Sequence, residues 1–107
     1  MSLDISIICP NCGGEVVDLN ITHNLTGMAE ALKCYNWIWH AGDYVKTAEQ
    51  LIEPVEYALS ELYYKREKYK QYESPNGWGT MSGFIDFLEE LLYGCKICRN
   101  GTVMVYR

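Results

Sequence analysis

Two Cys-x-x-Cys pairs carry the best-defined chemistry in this chain. Cys9 and Cys12 lie near its start, and Cys95 and Cys98 lie near its end. Four thiolates are a complete ligand set for one tetrahedral zinc ion. Because such a site is closed and leaves no coordination position for a substrate, the four cysteines predict a structural zinc rather than a catalytic one.

The surroundings of the first pair favour zinc over redox chemistry. Pro10 presets one bend of a tight turn, and Gly13 and Gly14 permit positive φ angles after it. A redox Cys-x-x-Cys motif would open a helix, whose N-terminus lowers the thiol pKa. Here an alternating, β-branched run follows at residues 15–21, which predicts a strand.

The second pair lies between a helical pattern and Asn100-Gly101, so we expect it in an equivalent turn. The two pairs are separated by 82 residues, far more than in a compact zinc finger. A shared ion would therefore join the two ends of the domain. Cys34 has apolar helical neighbours and is expected to be a buried small hydrophobe.

Length and composition predict one soluble domain spanning residues 1–107. Of its residues 49% are hydrophobic, enough for a modest core. The sequence shows neither a membrane span nor a secretory signal, so we expect a cytosolic protein, in a reducing setting that favours metal-bound thiolates over disulfides. A net charge of −5 argues against nucleic-acid binding driven by phosphate contacts. The one basic cluster, at residues 65–70, fits the cationic C-terminus of a helix whose tyrosines cover the edge of the core.

The pattern of elements predicts an α+β fold in the order β-β-α-α-α-β, with three helices packed on a three-stranded antiparallel sheet. The first two strands are expected at residues 3–8 and 15–21 and the last at 102–106. The helices are expected at residues 26–41, at residues 47–71 and from residue 81 to the second cysteine pair, where Gly94 ends the last one. The zinc site joins the two ends of this domain.

Polar segments between these elements supply the candidate binding residues. His23 and Asn24 stand where a strand gives way to a helix, a position suited to an anion or to acid–base chemistry, or simply to helix capping. Trp39 and His40 close the first helix and could form one wall of a pocket or belong to the core. The glycine-rich loop at residues 76–80 offers the flat face of Trp78 beside Asn76, or is only a turn with an anchoring aromatic ring.

No catalytic constellation is evident, because the chain has no nucleophile elbow, no P-loop and no His-Glu-x-x-His motif. Only His23 and His40 are suited to proton transfer near neutral pH. We therefore predict no catalytic residues and treat an enzyme with His23 as acid or base as the third hypothesis.

The chain resembles a family of small proteins encoded by bacteriophages and their bacterial hosts. The resemblance rests on the motif NITHNL at residues 20–25, the Met28-Ala29 that follows, and the motif NGWGT at residues 76–80 with Phe84 and Phe87 after it. It brings no established activity. Because many members lack one or both cysteine pairs, it implies that zinc is an accessory staple here and that the shared function lies in the His23 and Trp78 segments.

The leading hypothesis is a non-enzymatic binding module with a structural zinc, acting on a host or phage protein as a host-takeover or anti-defence factor. Its expected surface comprises His23, Asn24, Asn76 and Trp78. The second hypothesis is a protein that binds a small ligand or nucleotide in a pocket formed by the same residues. A nucleic-acid-binding zinc ribbon ranks last, and a self-contact at the surface would make the protein a homo-oligomer.

Overall fold

The fold is α+β, with one antiparallel sheet and helices packed on one of its faces. The computed structural model describes residues 2–73, 77 and 79–107. The three strands are β1 (Ser2–Ile8), β2 (Glu15–Thr22) and β3 (Thr102–Tyr106). The predicted strands are confirmed to within one residue at each end, because each shows the alternation of apolar and polar residues that a half-buried strand requires.

The sheet has the order β2-β1-β3, so the first strand of the chain is the central one. Both of its neighbours run antiparallel to it, with Ile5 opposite Leu19 on one side and Val105 on the other. Leu3, Ile5 and Ile7 are buried beneath the helices. On the opposite face, where Met104 and Tyr106 are exposed, the Asn20 amide donates a 2.7 Å hydrogen bond to Asp4.

Six α-helices are present in the described residues, so the prediction of three is wrong. In chain order they are α1 (Thr26–Ala31), α2 (Tyr35–Trp39), α3 (Ala41–Tyr44), α4 (Glu49–Tyr64), α5 (Arg66–Tyr69) and α6 (Met81–Ile97). Single 3₁₀ turns, at His23–Leu25 and Lys70–Tyr72, precede α1 and follow α5. None of the described helices has the length and apolar character that a transmembrane span requires.

The first predicted helix is broken twice. Lys33 has a φ of 63°, a left-handed conformation that ends a helix, and it separates α1 from α2. His40 then leaves helical geometry, with φ −120° and ψ 33°, and separates α2 from α3. The second predicted helix breaks at Lys65, whose φ of −130° and ψ of 42° separate α4 from α5. Pro54 does not interrupt α4, which continues through it from Glu49 to Tyr64.

The two long helices, α4 and α6, pack against each other. Thr80 caps α6 by accepting a 3.0 Å hydrogen bond from the Gly83 N–H, in agreement with the predicted start of this helix. The prediction that the helix ends at Gly94 is wrong, because the helix continues to Ile97. Gly94 instead allows close packing on the sheet, since a Cβ there would lie 2.6 Å from Cγ2 of Val17.

Candidate functional site

Three of the four predicted zinc ligands meet at one end of the sheet. Cys9 follows directly after β1, whose last residue, Ile8, pairs with Thr102 of β3. The turn after β1 and the turn before β3 are therefore neighbours. Cys98 lies in the second of these turns, and its thiol interacts with those of Cys9 and Cys12. The sheet register thus brings together cysteines from the two ends of the chain.

The first cysteine pair lies in a tight turn that is closed by backbone hydrogen bonds. The Cys9 N–H donates to the Gly14 carbonyl and the Gly13 N–H donates to the Cys9 carbonyl, both at 2.8 Å. Gly13 adopts a φ of 73°, as the sequence predicted for a glycine here. Backbone N–H groups of Cys12 and Asn11 are directed at the Cys9 sulfur and lower the pKa of its thiol, with the Cys12 and Cys98 side chains adding to the effect.

The second pair differs from the expected turn, because Cys95 is still inside α6 and only Cys98 has left it. Cys95 is fully buried, and burial raises the pKa of its thiol to about 12. Cys98 is partly exposed, and its sulfur lies 3.8 Å from Oδ1 of Asn100. Cys34 is buried in the core, as predicted, and burial raises the pKa of its thiol to about 12.

All five cysteines are free thiols. Within residues 2–73, 77 and 79–107, no three His, Cys, Asp or Glu side chains are arranged closely enough around one point to hold a metal ion. Cys9, Cys12 and Cys98 have the soft donor atoms that zinc prefers, and their thiols lie at the same end of the sheet without forming such a group. Cys95 faces the core and would have to rotate toward the others.

His23 and Trp39 form a hydrogen-bonded pair. Thr22 caps the 3₁₀ turn that holds His23, through a 3.2 Å bond from the Asn24 N–H. The Trp39 indole Nε1–H donates to Nδ1 of His23 at 2.9 Å, so Nδ1 acts as an acceptor and does not itself carry a proton. Trp39 is only 1% exposed and packs in the core against Phe84. Of the two rings, only that of half-buried His23 reaches the surface.

The segment containing His23 lies against part of the glycine-rich loop. A Cβ on Gly79 would lie 3.2 Å from Cβ of Asn24 and 3.4 Å from Cγ of Leu25. Gly79 and the 3₁₀ turn are therefore in direct contact. Asn76 and Trp78, the other two candidate residues of the loop, lie outside the described residues.

His40 belongs to a different contact from His23. A guanidinium nitrogen of Arg107 lies 2.8 Å from Nδ1 of His40. Because arginine is only a donor, the imidazole nitrogen accepts this bond. The edge of the Tyr35 ring packs on the His40 ring, with the ring centroids 5.3 Å apart. The contact links the end of β3 to the end of α2.

One open depression among the described residues is a feature that the sequence did not predict. It lies between α4 and α6, has a volume of about 500 Å³, and is here called the tyrosine groove. Its principal lining residues are Leu59, Tyr63, Tyr64, Glu89, Leu92 and Tyr93. Tyr63, Tyr64 and Tyr93 are 48%, 85% and 67% exposed. The sequence does contain a signal for this groove, because tyrosines lie on the polar sides of both long helices. The basic residues that follow Tyr63 and Tyr64 led us to assign these tyrosines to the cationic end of a helix instead.

Comparison with protein-family models, with curated proteins and with solved structures finds no match to this chain. The resemblance to bacteriophage proteins therefore stays a prediction.

Proposed function

We propose that this protein is a non-enzymatic module that binds another protein, and that a structural zinc ion holds its two ends together. The observation that carries the binding role is the exposure of three tyrosines around one groove. Tyrosine is enriched at protein interfaces because its ring is large, rigid and amphipathic. The resemblance described above predicts that the partner is a host or phage protein, met in the host cytosol.

The environment of both histidines supports binding over catalysis. Nδ1 of His23 accepts a hydrogen bond from a buried tryptophan, and Nδ1 of His40 accepts one from Arg107. Each imidazole is thus held in place by one of its nitrogens. Because Nδ1 accepts a bond, the neutral ring carries its proton on Nε2 and has no free nitrogen to act as a general base.

The zinc proposal is supported by the meeting of Cys9, Cys12 and Cys98 at one end of the sheet and by the N–H groups directed at the Cys9 sulfur. Such N–H groups stabilise a thiolate, which is the form that binds zinc. Cys95 lies one helical turn before Cys98 and is the proposed fourth ligand. When bound, zinc would supply cohesion rather than reactivity, because four thiolates leave no position open.

Native mass spectrometry of protein purified without chelators tests the zinc proposal. We expect one zinc ion per chain, lost in Cys9→Ser and in Cys98→Ser. Cys34→Ala is the matched control, because it removes a thiol that lies in the core and should leave the zinc content unchanged. Retention of zinc by Cys95→Ser would show that the fourth ligand is not Cys95. Metal-free protein with five free thiols, counted after denaturation, would refute the site.

Affinity capture from host cells, followed by reconstitution with the purified partner, tests the binding proposal. Calorimetry on the purified pair should give a saturable 1:1 complex. Tyr64→Ser and Tyr93→Ser should each weaken it, whereas Tyr44→Ser changes an exposed tyrosine on α3, outside the groove, and should not. A complex that is equally tight with all three variants would show that the tyrosine groove is not the binding surface.

A further inference from the structure

We infer that the tyrosine groove receives an arginine-bearing segment of a partner protein. The inference rests on the proposed binding function and specifies the chemistry of the partner. Its elements are an apolar floor, exposed aromatic walls and carboxylates placed beside those walls.

The floor and walls of the groove are suited to the stem and the planar head of an arginine side chain. Leu59 is nearly buried and Leu92 is partly buried, so together they form an apolar floor. Tyr64 and Tyr93 expose most of their surface beside it. A guanidinium group stacks favourably on an aromatic face, while its methylene stem covers apolar surface.

The charge in the groove is predominantly acidic. Lys96 is already paired with Glu56 at 3.2 Å, so these two charges offset each other. Glu89 accepts a 2.5 Å hydrogen bond from the Tyr63 hydroxyl, which raises the pKa of Tyr63 and fixes the position of the carboxylate. Among the described residues, no lysine or arginine forms an ion pair with Glu89 or Glu90.

Tyr93 and Glu89 line both the tyrosine groove and a second depression of about 390 Å³. The second depression also includes Glu90, Val16 and Val17. Carboxylates therefore stand beside the ring of Tyr93. Arginine can stack on such a ring and bond a carboxylate bidentately, which lysine cannot do. A nucleic acid is disfavoured because its phosphates would meet these carboxylates.

Calorimetry with N-acetylated, C-amidated hexa-arginine and hexa-lysine peptides tests the inference. The wild-type protein should bind hexa-arginine more tightly than hexa-lysine. The double variant Glu89→Gln/Glu90→Gln should lose about tenfold in affinity for hexa-arginine, corresponding to about 1.4 kcal/mol. Tyr93→Ser should abolish the preference for arginine over lysine. The control Glu15→Gln/Glu30→Gln makes the same change in net charge at exposed positions elsewhere, and should change the affinity by less than about twofold.

Three outcomes would overturn the inference. Equal losses in both double variants would show that the peptide responds only to net charge. Equal affinity for the two peptides would show that stacking of the guanidinium group on the tyrosine rings does not contribute to binding. A dimer of the free protein that Tyr93→Ser dissociates would assign the groove to a second copy of the chain. If the purified partner binds but is insensitive to Glu89→Gln/Glu90→Gln, this inference fails while the proposed binding function stands.

Discussion

Tyr69 is a buried tyrosine whose hydroxyl has a charged partner. It is 1% exposed, and its hydroxyl donates a 2.7 Å hydrogen bond to Oε1 of Glu61. Burial, and then this bond, raises the pKa of Tyr69 to about 12. The same bond, assisted by Lys65, lowers the pKa of Glu61. The pair spans the break between α4 and α5 and fixes the short helix against the long one.

Tyr69→Phe should lower the stability of the protein in a pH-dependent way. Because the pKa of Glu61 is lower in the folded state, its contribution to stability is present above the usual carboxyl pKa and is lost as the pH falls through the folded value. At pH 7 we expect the melting temperature to fall by roughly 4–8 °C. As the pH falls through the lowered pKa of Glu61, the wild type and the variant should come to differ much less, because the carboxylate is then protonated.

Thermal unfolding followed by circular dichroism between pH 3 and pH 7 measures this effect. Tyr64→Phe, at a highly exposed tyrosine, is the control and should leave the curve unchanged. A difference between wild type and Tyr69→Phe that stays constant over this range would assign the loss to packing rather than to the bond with Glu61.

At the scale of the elements, the contact between α6 and β2 depends on Gly94. Since a Cβ at this position would lie 2.6 Å from one methyl group of Val17 and 3.1 Å from the other, neither can give way by rotating out of reach. The helix would have to move away from the sheet.

Gly94→Ala should therefore destabilise the protein, although alanine is the better helix former. Overpacking of this kind costs about 1–3 kcal/mol, against a gain of about 0.5–1 kcal/mol in helix propensity. Urea unfolding measures the net change. Gly42→Ala is the control: Gly42 lies in α3 with nothing within 4 Å of the added Cβ, so the substitution should be neutral or stabilising. Stabilisation by both substitutions would show that α6 has room to move.

At Lys33 we expect the opposite of Gly94: replacing this residue by glycine should stabilise the protein. Its φ of 63° is unfavourable for a residue with a Cβ atom. Lys33→Gly should raise the free energy of unfolding by about 1 kcal/mol, whereas Lys33→Ala keeps the Cβ and should not. Equal stability of the two variants in urea would show that this turn is not strained.

The sequence allowed the strands to be predicted well and the helices only in part. Strand periodicity is local, and the apolar alternation of β1 and β3 is clear. The break at Lys33 depends instead on how the chain turns to cover the sheet, and lysine gives no sign of it. Gly94 was predicted to end α6 because glycine often follows the last turn of a helix. Glycine also occurs where a helix packs closely on a sheet, and the sequence alone does not distinguish the two cases. The meeting of Cys9 and Cys98 could be predicted from residue type, but the burial of Cys95 inside α6 could not.

For the whole molecule, the hydrophobic core extends far beyond the proposed zinc site, which it meets at Cys95 and Cys98. The core comprises buried residues from all three strands and from the helices, including Cys95, whereas Cys12 lies on an exposed turn. We therefore expect the metal-free protein to remain folded but to be less stable.

Removal of zinc with a chelator should lower the melting temperature by roughly 10 °C while unfolding stays cooperative. Hydrogen exchange should accelerate first at residues 9–14 and 98–101, because these turns would lose their common link. Cys9→Ser should show no further loss on chelation. A chelator effect of the same size in Cys9→Ser would place the metal elsewhere.

The central position of β1 has a consequence for biosynthesis. Asp4 pairs with Tyr106, so one side of the middle strand has no neighbour until residues 102–106 have left the ribosomal exit tunnel. Until then, the nascent chain presents an unpaired strand edge, which is a template for misassembly. Ribosome-bound chains stalled before this point should be digested by protease within β1, and chains released after it should resist.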